Sequence, residues 1–162
     1  MGLVLVLLLG AATVACRPEP PLSLDDAAGV LIAARRVGPD SMTRLMDHDD
    51  AFGERVLDGI SSGDSVWLEV AVALRPSGTA DVDEALPISL AEALPRAPER
   101  VLRVLGRMYP ADEVCSMPFN EPSDSLLTAY YAEARPALLR VQAPELQTIR
   151  TACLASLDAA HH

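Results

Sequence analysis

The sequence predicts an all-α protein, a multi-helix array of short helices arranged either as a HEAT-like solenoid or as an orthogonal helical bundle. Aromatic residues make up only 4% of the 162 residues, so the core must come from Leu, Val and Ala. Those residues suit closely packed helices better than a β-sandwich. Pro and Gly recur as helix boundaries, and no reliable hairpin signal is present. No strict repeat period is visible, which leaves both arrangements open.

The first predicted helix begins after a polar pair and ends at a glycine. Ser23 and Asp26 form a capping-box-like pair ahead of the run AAGVLIAARRV. Gly38 and Pro39 end that run, because glycine favours a helix C-terminus and proline cannot continue it. The short piece SMTRLM predicts a second helix, which reaches the polar turn of residues 47–50.

The next two segments are predicted to be helical for different reasons. In DAFGERVLDGI, Phe52, Val56 and Ile60 form one apolar stripe at a spacing of four. DSVWLEVAVALRP is ambiguous, since its apolar residues alternate as in a strand and also match a helix face. Asp64 is a good N-cap and Pro76 a good stop, and no second strand lies nearby to pair with this segment. We therefore expect a helix.

Proline positions define the helices of the second half. Pro87 interrupts DVDEALPISLAEALP, which predicts a turn first and a helix that opens near Pro87. In APERVLRVLGRMYP, Pro98 occupies the first turn. The residues of that helix expected to face inward are Val101, Leu102, Leu105 and Met108. A short turn, ADEVC, carries Cys115, and MPFNEP is predicted to be a loop.

Two further helices are predicted at the C-terminal end. SDSLLTAYYAEARPALLRVQA is a long helix with a kink at Pro136, and of its adjacent tyrosines one ring should face inward and the other, Tyr131, outward. APELQTIRTACLASLDA is the last helix. Its core-facing residues are Leu146, Ile149, Cys153 and Leu157. Cys153 thus points toward the core, where Cys115 could meet it.

Residues 1–15 have the layout of a secretory signal peptide. The apolar run LVLVLLL ends in small side chains, and it is shorter than the roughly 20 apolar residues that span a bilayer. A buried first helix is the alternative, but no polar residue alternates along the run. We expect residues 23–160 to form a single all-helical domain.

The residues after the leader predict an anchor. Thr13-Val14-Ala15-Cys16 resembles a bacterial lipobox, in which the cysteine is lipidated and becomes the N-terminus. A lipobox usually has Leu where this chain has Thr13, and an ordinary signal peptidase would also cut before Cys16. The prolines within residues 16–22 make a stiff, extended spacer, which favours lipidation of Cys16 followed by a Pro-rich tether.

The three cysteines support the same interpretation. An exported protein with an odd number of cysteines has one left over. If Cys16 carries a lipid, Cys115 and Cys153 can close a disulfide in an oxidising compartment. The alternative is a pair of buried free thiols.

The formal net charge of −10 limits the partners of this protein. An acidic surface repels phosphate backbones and anionic headgroups, so we expect no nucleic acid and no membrane contact except through the lipid anchor. A basic protein partner would be steered toward such a surface, although acidity also serves solubility. The candidate interaction surface comprises Asp47, Asp49, Asp50 and Tyr131.

Two patterns suggest chemistry, and both have simpler explanations. Gly63-Asp64-Ser65 with Asp158 and His161 matches the residue order of GDSL-type serine hydrolases. Ser65, however, opens a helix instead of following a strand, and a terminal histidine cannot hold a base in register. The DHDD run at residues 47–50 fits neither a calcium loop nor zinc-ligand spacing. We therefore predict no catalytic site, no metal and no cofactor.

Four blocks of the chain resemble a group of small, exported, uncharacterised proteobacterial proteins. They are SGDSVWLEVAVALRP, ISLAEALPRAPERVLRVL, ADEVCSMPF and RTACLASL, within about residues 55–157. The resemblance implies secretion, a helical fold and the pairing of Cys115 with Cys153. It implies no particular activity.

Together these features predict an exported, helical protein-interaction module without catalytic activity, located in the bacterial periplasm or cell envelope and held there by a lipid. One alternative is an immunity-type protein that neutralises a secreted effector. The other is a serine hydrolase that uses Ser65 as its nucleophile.

Overall fold

The computed structural model describes residues 23–76 and 80–161, whose regular elements are all helices, and none of these residues lies in a strand. The elements are α1 Ala27–Val37, α2 Pro39–His48, α3 Asp50–Ser61, α4 Ser65–Leu74, α5 Ala80–Ala93, α6 Pro98–Leu105, α7 Ala111–Cys115, α8 Asp124–Leu139, a 3₁₀ turn Pro144–Leu146 and α9 Gln147–Ala160. The predicted all-α, multi-helix array is therefore confirmed. The predicted signal peptide and the Cys16 tether lie outside the described residues.

Helices two positions apart along the chain pack against each other. Such contacts join α2 to α4, α3 to α5, α4 to α6, α5 to α7, α6 to α8 and α7 to α9. This alternation is the pattern of stacked helix pairs. Helix α1 departs from it, because α1 packs against α4 and α2. Among the described helices, none combines the length and the apolar character needed to cross a bilayer.

The N-terminus of α1 is capped differently from the prediction. Asp26 is itself the N-cap, and its carboxylate accepts a hydrogen bond from the Gly29 amide at 2.8 Å. Ser23 does not complete a capping box with it. The Ser23 hydroxyl donates instead to the Asp25 carboxylate at 3.1 Å. A single Asp at the N-cap position is enough to satisfy an amide of the first turn.

The ambiguous segment after Gly63 is a helix, as predicted. The Asp64 carboxylate accepts hydrogen bonds from the amides of Val66 and Trp67, at 2.9 and 3.3 Å. The residues that α4 buries are Leu68, Val70, Ala71 and Leu74. They include residues of the strand-like alternation as well as residues of the predicted helix face, because several neighbouring helices pack against α4.

Helix α5 corrects the prediction made from Pro87. The helix does not open near Pro87 but runs through it, from Ala80 to Ala93. Proline has no N–H, so the helix loses one backbone hydrogen bond at this point. Pro87 is buried, and so are Leu86 and Leu90 beside it. We infer that burial of this apolar segment offsets the cost of a proline in the helix interior.

Helix α6 confirms most of its predicted apolar face and corrects one position. Val101, Leu102 and Leu105 are buried, but Met108 is 39% exposed. The helix ends at Leu105, so Met108 lies beyond the helical spacing that predicted its direction. Tyr109 is buried instead, and its hydroxyl donates to the Ala71 carbonyl at 2.9 Å.

Helix α8 contains Pro136 in its interior and continues to Leu139. Whether Pro136 kinks the helix remains a prediction. Tyr130 faces inward as expected, and its hydroxyl donates to the Ala91 carbonyl at 3.0 Å. The Phe119 ring meets the Tyr130 ring edge-on, with centroids 4.9 Å apart.

Helices α7 and α9 are joined at the predicted cysteine pair. The Sγ atoms of Cys115 and Cys153 lie at disulfide distance, 2.00 Å, and both residues are fully buried. Leu146 and Leu157 are also buried, as expected for the core-facing side of the last helix. Ile149 is only half-buried, because it lines a groove between α6 and α9.

Candidate functional site

An apolar groove lies between α6 and α9. Its volume is about 640 Å³. Aliphatic and small residues form its walls, namely Leu102, Gly106, Leu146, Ile149 and Ala152. Ile149 is half-buried because one side of it packs on the core while the groove leaves the other side open. The groove therefore presents an apolar surface that the protein itself does not cover.

Ion pairs border this groove. Arg103 Nη2 lies 2.9 Å from Glu145 Oε1, and both side chains are about half exposed. Arg107 forms a two-point contact with the Glu69 carboxylate. Exposed pairs of this kind contribute about 0–1 kcal/mol to stability, so they do little to hold the fold together. Their main effect is to surround an apolar centre with charge.

The two pairs also fix the charge states of the groove's edge. A hydrogen bond from its own backbone amide and then one from Arg103 lower the pKa of Glu145. Hydrogen bonding to Glu69 raises the pKa of the Arg107 guanidinium. Glu145 and Arg107 thus stay ionised near neutral pH, and the edge carries both signs of charge.

Tyr131, a member of the candidate surface, connects α8 to α9. Its hydroxyl donates to Asp158 Oδ1 at 2.7 Å, and the Arg135 Nε donates to the same oxygen at 2.8 Å. The His161 ring stacks on the Tyr131 ring with centroids 3.8 Å apart. The hydrogen bond to Asp158 raises the pKa of the Tyr131 hydroxyl. Tyr131 is half-buried, so its role in this structure is largely to link the two helices.

The acidic members of the candidate surface lie at the junction of α2 and α3. Asp49 is the N-cap of α3 and accepts from the Phe52 amide at 3.0 Å. Asp47 and Asp50 line a cavity of about 300 Å³. The other residues that line it are Met46, Gly53, Glu54, Leu57, Val82 and Ala85. Tyr131 is not among them, so the structure does not bring all four candidate residues to one cavity.

The residues of the hydrolase alternative are attached to different helices. Ser65 is the exposed first residue of α4, and Asp64 is engaged as the N-cap of that helix. Asp158 and His161 lie at the end of α9, where both contact Tyr131. In the described part of the chain, no group of three or more His, Cys, Asp or Glu side chains is placed to hold a metal ion.

Sequence patterns did not reveal the groove, although they identified some of its residues. Leu102, Leu146 and Ile149 were predicted to face inward. The apolar spacing of one helix does not show whether its apolar face touches that of another helix or leaves a groove between them. The available signal was the presence of two small residues, Gly106 and Ala152, among those that line the groove. The chain has no significant match among protein-family models, curated proteins or solved structures.

Proposed function

We propose that this protein is an exported, envelope-associated protein-interaction module without catalytic activity, held in the envelope by a lipid on Cys16. The observation that carries the proposal is the uncovered apolar groove between α6 and α9 with its charged edge. The lipid anchor is supported by the leader and by the lipobox-like residues before Cys16.

The groove has the composition of a protein-binding surface. Protein interfaces place apolar residues at the centre and polar ones at the rim, and the aliphatic walls and flanking ion pairs follow that arrangement. A volume of about 640 Å³ lies within the range of binding pockets. It suits a few aliphatic side chains presented on one face of a partner helix, a common mode of peptide recognition.

The net charge of the protein suggests a second property of its partner. The formal net charge of −10 creates a negative potential that accelerates the approach of positively charged molecules. We therefore propose a partner segment that combines aliphatic residues, which enter the groove, with basic residues around them. Complementary charge of this kind favours a fast association rate and orients the encounter.

The test uses two matched substitutions on α9. Ala152 is exposed and lines the groove, whereas Ala155 is exposed on the same helix but is not among the lining residues. Ala152→Arg fills the groove and adds a positive charge that opposes a basic partner, and Ala155→Arg makes the same chemical change elsewhere. Tagged wild-type and variant proteins are expressed in the native envelope, and co-purified proteins are quantified by mass spectrometry.

The expected result is at least one envelope protein whose recovery falls about tenfold or more with Ala152→Arg and stays at the wild-type level with Ala155→Arg. Circular dichroism checks that both variants keep their helices. If every co-purified protein responds equally to the two variants, the groove is not the binding surface.

A further inference from the structure

We propose that a second cavity, between the N-terminal end of α6 and the C-terminal end of α8, binds the phosphate group of a small soluble phosphomonoester. This inference does not depend on the protein-interaction proposal, because it concerns a different cavity and a different kind of ligand. The cavity has a volume of about 370 Å³. The residues that line it are Pro95, Arg96, Ala97, Pro98, Glu99, Arg100, Ala137, Arg140 and Val141.

Three arginines are among the residues that line this cavity, in a protein whose net charge is strongly negative. They are Arg96 in the turn before α6, Arg100 in the first turn of α6 and Arg140 directly after α8. Glu99 is the carboxylate among the lining residues. Three positive charges and one negative charge leave a formal charge of +2 at the cavity. A phosphomonoester carries about −1.5 to −2 at neutral pH, so the charges are matched.

Two of these arginines are held in place by backbone carbonyls. The Arg96 Nη1 donates to the Ser61 carbonyl at 3.0 Å, and the Arg100 Nε donates to the Gly63 carbonyl at 2.7 Å. Each bond uses one donor of a guanidinium that has five. Ser61 and Gly63 do not line the cavity, so these bonds restrict the two side chains and leave their other donors available to a ligand. Restricting the side chains beforehand reduces the entropy lost on binding.

Arg140 differs because its guanidinium makes no hydrogen bond or ion pair within the part of the chain that the structure describes. An exposed arginine without a partner contributes little to stability and is available to a ligand. The N-terminus of α6 adds to the positive potential, since Ala97 provides no side-chain cap for it. Planar guanidinium groups bind phosphate oxygens through paired hydrogen bonds, and a phosphomonoester offers three terminal oxygens where a carboxylate offers two.

The proposed source of the phosphate is a small soluble molecule instead of a lipid headgroup. The overall charge of −10 opposes approach to an anionic bilayer, whereas a small phosphomonoester can enter the cavity without bringing the acidic surface close to other charges. The cavity volume is sufficient for a compact ligand of the size of glycerol phosphate.

The experiment measures the affinity of the folded protein for glycerol 3-phosphate by isothermal titration calorimetry at low ionic strength. Arg140→Gln should weaken binding about tenfold, because one charge-assisted contact is lost. Glu99→Gln should strengthen binding severalfold, because it removes the opposing charge. Arg44→Gln serves as the control, since Arg44 is exposed on α2 and does not line the cavity.

Arg140→Gln and Arg44→Gln change the net charge by the same amount, so a general effect of net charge would weaken binding equally in both variants. Equal affinities for Arg140→Gln and Arg44→Gln, or no affinity increase with Glu99→Gln, would overturn the proposal. Tighter binding of succinate than of glycerol 3-phosphate would contradict the choice of phosphate. Sedimentation of the protein with vesicles that contain phosphatidic acid, dependent on Arg140, would contradict the choice of a soluble ligand.

Discussion

The helices at the two ends of the chain differ chiefly in the cysteine pair, which joins α7 to α9. The N-terminal helices α1–α4 have local caps, in which Asp26, Asp49 and Asp64 accept from amides two or three residues away. Helices α7–α9 are joined by contacts between distant residues, and the cysteine pair links positions 38 residues apart. A covalent link therefore constrains the C-terminal region, which supplies one wall of the apolar groove.

The largest effect should come from removing the link between α7 and α9. Replacement of both Cys115 and Cys153 by Ser should lower the free energy of unfolding by about 4 kcal/mol, because the unfolded chain regains the entropy of a 38-residue loop. Urea denaturation of the oxidised wild type and the variant measures this difference. Reduction of the wild type is the control and should give a similar loss. An unchanged denaturation midpoint would show that the link between Cys115 and Cys153 does not stabilise the fold.

A smaller effect is expected in the N-terminal region from Gly59→Ala. A Cβ at Gly59 would overlap the indole ring of Trp67, which lies directly on the α3 backbone. Overpacking of this kind typically costs about 1–3 kcal/mol. The matched control is Gly106→Ala, where the nearest atom would lie at 3.6 Å and the backbone is right-handed helical. Thermal denaturation should show a lower midpoint for the first variant only, and equal midpoints would argue against the Trp67 contact.

The local caps should contribute about 1 kcal/mol each. Asp64→Ala removes an acceptor for the amides of Val66 and Trp67, and N-cap losses of this type cost about 1 kcal/mol. Asp40→Ala is the comparison, because Asp40 lies in the first turn of α2 without being its N-cap. Urea denaturation of both variants should rank Asp64→Ala as the more damaging, and the reverse order would contradict the role assigned to the cap.

Alkaline pH should act on stability through the two buried tyrosines. Burial raises the pKa of Tyr109 and Tyr130 above the value of 10.0 for an exposed tyrosine. Their contribution to stability is therefore complete below about pH 10, where the unfolded state is also protonated, and declines above it as the unfolded state releases protons. The free energy of unfolding should fall with pH above this point. The fall should be shallower when both tyrosines are replaced by Phe, and an identical slope would contradict it.

Local sequence signals predicted most of the helix ends. Asp64 and Pro76 identified α4 despite its strand-like alternation, and Pro98 marked the start of α6. These signals succeed because a cap or a proline acts on the backbone within one turn. Pro87 misled the prediction for the opposite reason, since tertiary burial kept α5 continuous through a residue that locally disfavours a helix.

Contacts between distant residues were harder to predict. Apolar spacing marked Leu146 and Ile149 as inward-facing, but spacing cannot show that α6 and α9 leave a groove between them. The arginine-lined cavity was missed because net charge averages over the whole chain, while Arg96, Arg100 and Arg140 meet only after folding. The Cys115–Cys153 pair is the exception, because the number of cysteines and the core-facing position of Cys153 together limited the possible pairings.

The proposal that the C-terminal region binds a protein partner is tested most directly by site-specific photocrosslinking in cells of the native host. A photoreactive amino acid at Ala152 lies in the groove, and the same amino acid at Ala28, exposed on α1, reports on the N-terminal region. We predict a discrete crosslinked protein from position 152 and none from position 28. Crosslinks from position 28 alone, or the same adducts from both positions, would contradict the assignment of the groove as the binding surface.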